Sequence, residues 1–362
     1  MRKSSWCSII VLTVCLSAGM LLAGDGGKAD HERGLRYAEG VGVKQDLVEA
    51  VKWFRKAAEQ GNAKAQCNLG LCLMLGKGAE RNSTEAVKWF RKAAEQGDAE
   101  AQFYLGVCAE TGDGVGKDPA EAVKWYRKSA EQNYVDALLF LGRSYEFGRG
   151  VEKDLAEAVK WYRKAAEQGH PRAYYGLGLC YEDGQGVEKD LAEAVKWYRK
   201  AGEQGLADAQ CALGIIYARG DGVTPDLAEA VKWFRKAAEQ GHVSAQCSLG
   251  ILYESGQGGA PNFEEAAKWF FKAAEQGDAT AQCHLGVCYA NGHGVAQNFA
   301  EAVKWWRRSA EQNNAAAQYF LGVAQSRGDG VKQDLAEAVK WWQRAAAQGH
   351  PSAIEQLKKM GK

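Results

Sequence analysis

The run Gly112-Asp113-Gly114-Val115-Gly116-Lys117-Asp118 has the residue types of a phosphate-binding loop. Such loops cradle phosphate oxygens with converging backbone amides and a lysine. They also need a preceding strand and a fixed Gly-Lys-Ser/Thr ending. Here Asp118 follows the lysine, and similar glycine loops recur through the chain, so the pattern reads as turn geometry. Asp118 and Glu121 have the types for general acid–base work, but their three-residue spacing is that of a helix capping box. Segments such as Lys124-Trp125-Tyr126-Arg127-Lys128 mix cations and rings as single-strand nucleic-acid surfaces do. Glutamates flank them on both sides, and the net charge is only +1, so no basic surplus exists to neutralise phosphates. The expectation is a solvated helix face and no nucleic-acid partner.

Cysteine offers metal, disulfide or thiol chemistry. Cys67, Cys72, Cys108, Cys180, Cys211, Cys247, Cys283 and Cys288 follow the N-terminal segment. There is no CxxC, and the six histidines do not cluster with cysteines or carboxylates, so neither a metal nor a cofactor is expected. The eight occupy two recurring slots, which other copies fill with Phe, Leu, Tyr, Ser, Ile or Ala. Five residues on a helix is about 140° of rotation, so Cys67 and Cys72 point different ways. The role expected is that of a small buried hydrophobe; Cys180 with Cys211 is the one pair worth checking as a disulfide. No Ser/Lys, Ser/His or metal constellation is present, so no catalytic residue is assigned.

The elements carrying these residues repeat. Trp53, Trp89, Trp125, Trp161, Trp197, Trp233, Trp269, Trp305 and Trp341 recur every 36 residues. In one unit, Gly97 ends a helix, Asp98 caps the next, and helix A runs to about Thr111 before Gly112. Pro171 and Pro351 sit where a first helical turn accepts proline. Asp118 with Glu121 then opens helix B, and the pairing recurs from Asn82 with Glu85 to Asp334 with Glu337. On helix B, Ala122, Tyr126 and Ala130 share a face with Trp125 on its flank, while Lys124 and Lys128 lie outside. Leu105-Gly106 recurs from Leu69-Gly70 to Leu321-Gly322, and an interior helical glycine costs about 1 kcal/mol relative to alanine. Repetition of that cost implies a neighbour too close for a side chain. Two helices per unit, stacked in a row, make an all-α solenoid. Arg33 in place of the recurrent leucine and Lys358 in place of the recurrent glycine suit polar outer faces at the ends.

The N-terminus differs. Arg2 and Lys3 precede the apolar stretch Ile9 to Ala23, which reads as a secretory signal peptide or, alternatively, an uncleaved anchor. The expected organisation is a signal segment at 1–24, an N-terminal capping repeat at 25–61, eight tandem repeats at 62–349 and a C-terminal capping helix at 350–362. Export to the periplasm or the extracellular space is expected, with membrane attachment only through the signal segment.

The repeated pattern is similar to that of the Sel-one-like repeat family, relatives of the tetratricopeptide repeats. One copy runs from Ala209 through Leu213-Gly214, Tyr217, Gly220, Gly222-Val223, Asp226, Glu229-Ala230 and Trp233 to Gly241. The resemblance implies a right-handed α/α superhelical solenoid of helix-turn-helix units and an adaptor that assembles other proteins. It carries over no catalytic residue. A cysteine-rich branch linked to penicillin binding staples its repeats near the "KAA" segment of helix B, and this chain has no cysteine there.

What varies between copies then carries the functional expectation. On helix A, the slot of Asn68 reads Tyr104, Phe140, Gly176, Ala212, Ser248, His284 and Phe320 in the following copies. The slot of Leu75 includes Phe147, Arg219 and Arg327. By analogy with related solenoids helix A lines a concave face. Exposed side chains there are candidate partner anchors: Tyr104, Phe140, Phe147, His284, Phe320, Arg219 and Arg327. Drift at tolerant exposed sites is the alternative. The function expected is a non-enzymatic scaffold for a protein or peptide partner. A cell-envelope hydrolase or a membrane-tethered regulatory protein are the other readings.

Overall fold

The computed structural model describes residues 26–361; the expected signal segment at 1–24 lies outside them. Nineteen α-helices and no strands occur among the described residues. In chain order they are α1 (Lys28–Glu39), α2 (Leu47–Glu59), α3 (Ala63–Leu75), α4 (Ser83–Glu95), α5 (Ala99–Thr111), α6 (Pro119–Glu131), α7 (Val135–Phe147), α8 (Leu155–Glu167), α9 (Pro171–Asp183), α10 (Leu191–Glu203), α11 (Ala207–Arg219), α12 (Leu227–Glu239), α13 (Val243–Ser255), α14 (Phe263–Glu275), α15 (Ala279–Asn291), α16 (Phe299–Glu311), α17 (Ala315–Arg327), α18 (Leu335–Ala347) and α19 (Pro351–Lys359). Odd helices are the expected helices A and even ones the helices B. The chain forms two compact units, one ending at Tyr134 and one beginning at Val135. Within each, every helix packs against its sequence neighbours.

The caps form as the sequence implies, with one correction. Asp226 Oδ1 accepts from the Glu229 amide at 2.9 Å, and the same bond opens each helix B. A full capping box would also send the glutamate back to the cap's own N–H. Instead the Asp226 amide donates to the Tyr217 carbonyl of the preceding helix A at 2.9 Å. The freed Glu229 carboxylate pairs with Lys232 at 3.0 Å on the surface. The cap amide is thus satisfied by tertiary structure, and the glutamate serves a local ion pair.

The recurrent helix-A glycine has the close neighbour its cost implied. A Cβ on Gly250 would lie 2.6 Å from the ring of Phe270, and one on Gly106 would lie 2.4 Å from Tyr126. Phe270 and Tyr126 are almost completely buried. Burying such a ring stabilises by roughly 1.5–3 kcal/mol, more than the helical glycine costs. The loop glycines have separate tasks. Gly112 ends α5 in the left-handed region with φ 83°. A Cβ on Gly114 would fall 2.2 Å from the Ser83 carbonyl oxygen, so this loop rests on the start of α4. Turn geometry accounts for the glycine loops.

Glutamine ties the helices further. Gln66 is buried, donates to the Ala58 carbonyl at 3.0 Å and accepts from Gln96 at 2.8 Å. It therefore links α2 to α4 through α3. The same pair of bonds recurs at Gln102, Gln210, Gln246, Gln282 and Gln318. Leu138 and Tyr174 stand in this slot in α7 and α9. All eight described cysteines are free, Cys180 and Cys211 included, and all but Cys72 are buried. Burial pushes the Cys108 and Cys180 thiols up to about 12, which suits the packing role.

Candidate partner-binding face

The cation–aromatic segments of helix B satisfy themselves. Lys164 lies 4.3 Å from the Trp161 ring centroid, Lys236 lies 4.3 Å from Trp233, and Lys272 lies 4.0 Å from Trp269. Each lysine is three residues after its tryptophan, on the same helical face. These rings are covered rather than offered for stacking.

On helix A the expected stripe is partly structural. Tyr104 is a correction: it is buried, 8% exposed, not an exposed anchor. Its ring stacks on Phe90 at 5.4 Å and meets Phe103 at 5.3 Å. Other members of that slot lie on a helix-B ring in the same way. His284 stacks on Phe270 at 4.8 Å, and Phe320 stacks on Trp306 at 5.3 Å. At Gly176 a Cβ would sit 3.4 Å from the Tyr162 ring. The slot accepts Phe, Gly and His because its occupant lies at the margin of the core, on a flat ring. His284 and Phe320 remain half-buried, and His284 Nδ1 is 3.0 Å from Glu254. Phe140 is half-buried with the Arg143 guanidinium 5.9 Å from its centroid.

The later slot is open. Phe147 is 51% exposed at the end of α7, with the Arg149 guanidinium 5.0 Å from its ring. Arg219 and Arg327 are exposed in the last turns of α11 and α17. Neither forms an ion pair among the described residues. Phe140 and Phe147 thus share α7, His284 and Phe320 share a register on α15 and α17, and Arg219 and Arg327 share another on α11 and α17. Tyr104 belongs to the other compact unit.

Between these slots runs an aliphatic row absent from the sequence reading: Leu179, Ile215, Ile251, Val287 and Val323. All are half-buried except Ile251, which is 37% exposed. A signal was present, because the position three residues after the variable slot is aliphatic in copy after copy. Aliphatic recurrence reads as core, and only the packing shows this one reaching the surface. The arrangement offers apolar contact with polar edges, which suits peptide or helix docking. No group of His, Cys, Asp or Glu among the described residues could hold a metal ion. No described helix is long and apolar enough to cross a membrane.

Helix pairs repeated in one register define an α-solenoid repeat protein. The Sel1 repeat model matches residues 16–62, 63–98, 99–134, 135–170, 171–206, 207–242, 243–278, 279–314 and 315–350. The chain belongs to the Sel1 repeat family. Such proteins are generally protein-interaction scaffolds and typically lack enzymatic activity. Among solved structures, it is similar to c5321, a protective antigen present in uropathogenic Escherichia coli strains and displaying this fold. Identity there is 40% and the TM-score 0.79, over 92% of this chain and 72% of that one. It is also similar to a Sel1 repeat protein from Oxalobacter formigenes, at 37% identity and TM-score 0.61, over 69% of this chain and 97% of that one. No curated protein matches the chain.

Proposed function

We propose that this chain is an exported, non-enzymatic adaptor that binds a protein or peptide partner on the helix-A face of the unit beginning at Val135. The observation that carries the reading is the surface-reaching aliphatic row, with Ile251 37% exposed, on a frame whose neighbouring slots vary freely. Leu179, Ile215, Val287 and Val323 also pack partly against the core, and the area they leave open beside Ile251 is the apolar floor that a docked segment would cover. Phe147, Phe320 and His284 border the row as aromatic contacts.

Export rests on the basic and apolar N-terminal segment, which lies outside the described residues. The mature N-terminus, read by mass spectrometry, separates a cleaved periplasmic or extracellular protein from one held by an uncleaved anchor. Partner binding is tested by cross-linking capture from the native host, with the full chain and its Ile251→Ser/Phe320→Ala variant as baits. A partner held by the first and lost by the second supports the site. Equal capture removes it. A serine-directed covalent probe that labels the pure protein would instead revive the hydrolase reading.

A further inference from the structure

Over α11, α13, α15 and α17 the helix-A face has its own charge pattern. Its floor is Ile215, Ile251, Val287 and Val323. The edge toward the helix starts is uncharged from α13 onward: Ser244, Thr280 and Ala316. The edge toward the helix ends reads Arg219, Ser255, Asn291 and Arg327. Two exposed guanidiniums therefore bracket an uncharged stretch. Neither is ion-paired among the described residues, and Asp221 and Asp329, two positions beyond them, form no ion pair either. The nearby acids have partners: Glu254 lies 3.0 Å from His284, and Asp208 lies 3.4 Å from His242. Over α7 and α9 the same slots mix signs, with Asp136, Arg172 and Asp183.

We propose that this face takes a peptide segment with an aliphatic centre and a carboxylate toward each end, the carboxylates seated on Arg219 and Arg327. The proposal rests on the helix-A face being the partner surface. A charge placed over Ser255 and Asn291 would be desolvated beside no free counter-charge, because Glu254 is held by His284. A carboxylate at either end meets a planar fork that can hold both its oxygens. Packed helices lie about 10 Å apart, so three steps along the row span roughly 30 Å. That is about nine residues of extended chain.

The test is fluorescence anisotropy with the full chain and a labelled nine-residue peptide of alternating Leu and Ser, ended by Glu. A twin peptide is ended by Lys. The Glu-ended peptide is expected to bind saturably and at least about tenfold more tightly than its twin. Arg219→Met/Arg327→Met should erase that preference, while Lys88→Met, which removes one charge elsewhere, should not. Both arginines are exposed, so circular dichroism should be unchanged. The inference is overturned by equal affinities, by a preference that survives loss of both arginines, or by no saturable binding of the Glu-ended peptide below about 1 mM. Host-partner capture that depends on Ile251, with failure of the Glu-ended peptide, would overturn this inference and leave the adaptor reading standing.

Discussion

At the scale of single residues, two contacts make opposite demands on the repeat. Gly250 must stay small because Phe270 lies where its Cβ would go, 2.6 Å away. Gly250→Ala should therefore destabilise by about 1–3 kcal/mol through overpacking, although alanine is the better helix former. A lower urea midpoint checks this; an unchanged or higher one would show that the ring moves aside freely. Asp226 and Glu229 look like equal halves of a capping box in the sequence but are not equal in the fold. Asp226→Ala should cost about 1 kcal/mol, because the Glu229 amide loses its acceptor. Glu229→Gln should stay within about 0.5 kcal/mol, because only an exposed ion pair with Lys232 weakens. The spacing showed the cap; it could not show that a tertiary carbonyl, that of Tyr217, had taken over the other half.

At the scale of elements, the helices were legible because each is bounded by chemistry that local sequence displays. Gly112 reaches a positive φ, Asp118 caps, and Pro119 tolerates a first turn. The glutamine link was less legible, since Gln66 and Gln96 are 30 residues apart and meet only when the helices stack. Gln246→Ala should cost about 1–3 kcal/mol, since the Ala238 carbonyl and Gln276 lose a buried partner. Hydrogen exchange should then rise in α12 to α14 before elsewhere. The first helix carries a pH response. Burial lowers the His31 pKa to about 4, and Asn68 donates to its ring nitrogen at 2.9 Å, a bond that requires the neutral imidazole. The unfolded chain takes up that proton near pH 6.5 and the folded chain near 4. Stability from His31 is therefore full above about 6.5 and falls as pH drops toward 4. Near-ultraviolet dichroism or exchange in α1 should show this loss, and His31→Phe should remove it.

At the scale of the whole molecule, the sequence displays a frame much better than a site. A strict 36-residue period leaves little freedom in how successive units pack. The variable slots were equally visible, but their depth was not. Tyr104 and Phe147 both read as exposed aromatics, yet one is covered by Phe90 and Phe103 and the other is open. Ile251, which the sequence did not single out, reaches the surface. Depth depends on which ring of helix B lies beneath each slot, and that is a property of stacked units. The central claim is that a partner lies over this row. It is tested most directly by photo-crosslinking in the native host, with a photoreactive amino acid placed at Ile251 on helix A or at Lys232 on the exposed side of helix B. A protein adduct from position 251 and none from 232 is the expected result. Adducts from 232 alone, or equally from both, would contradict it.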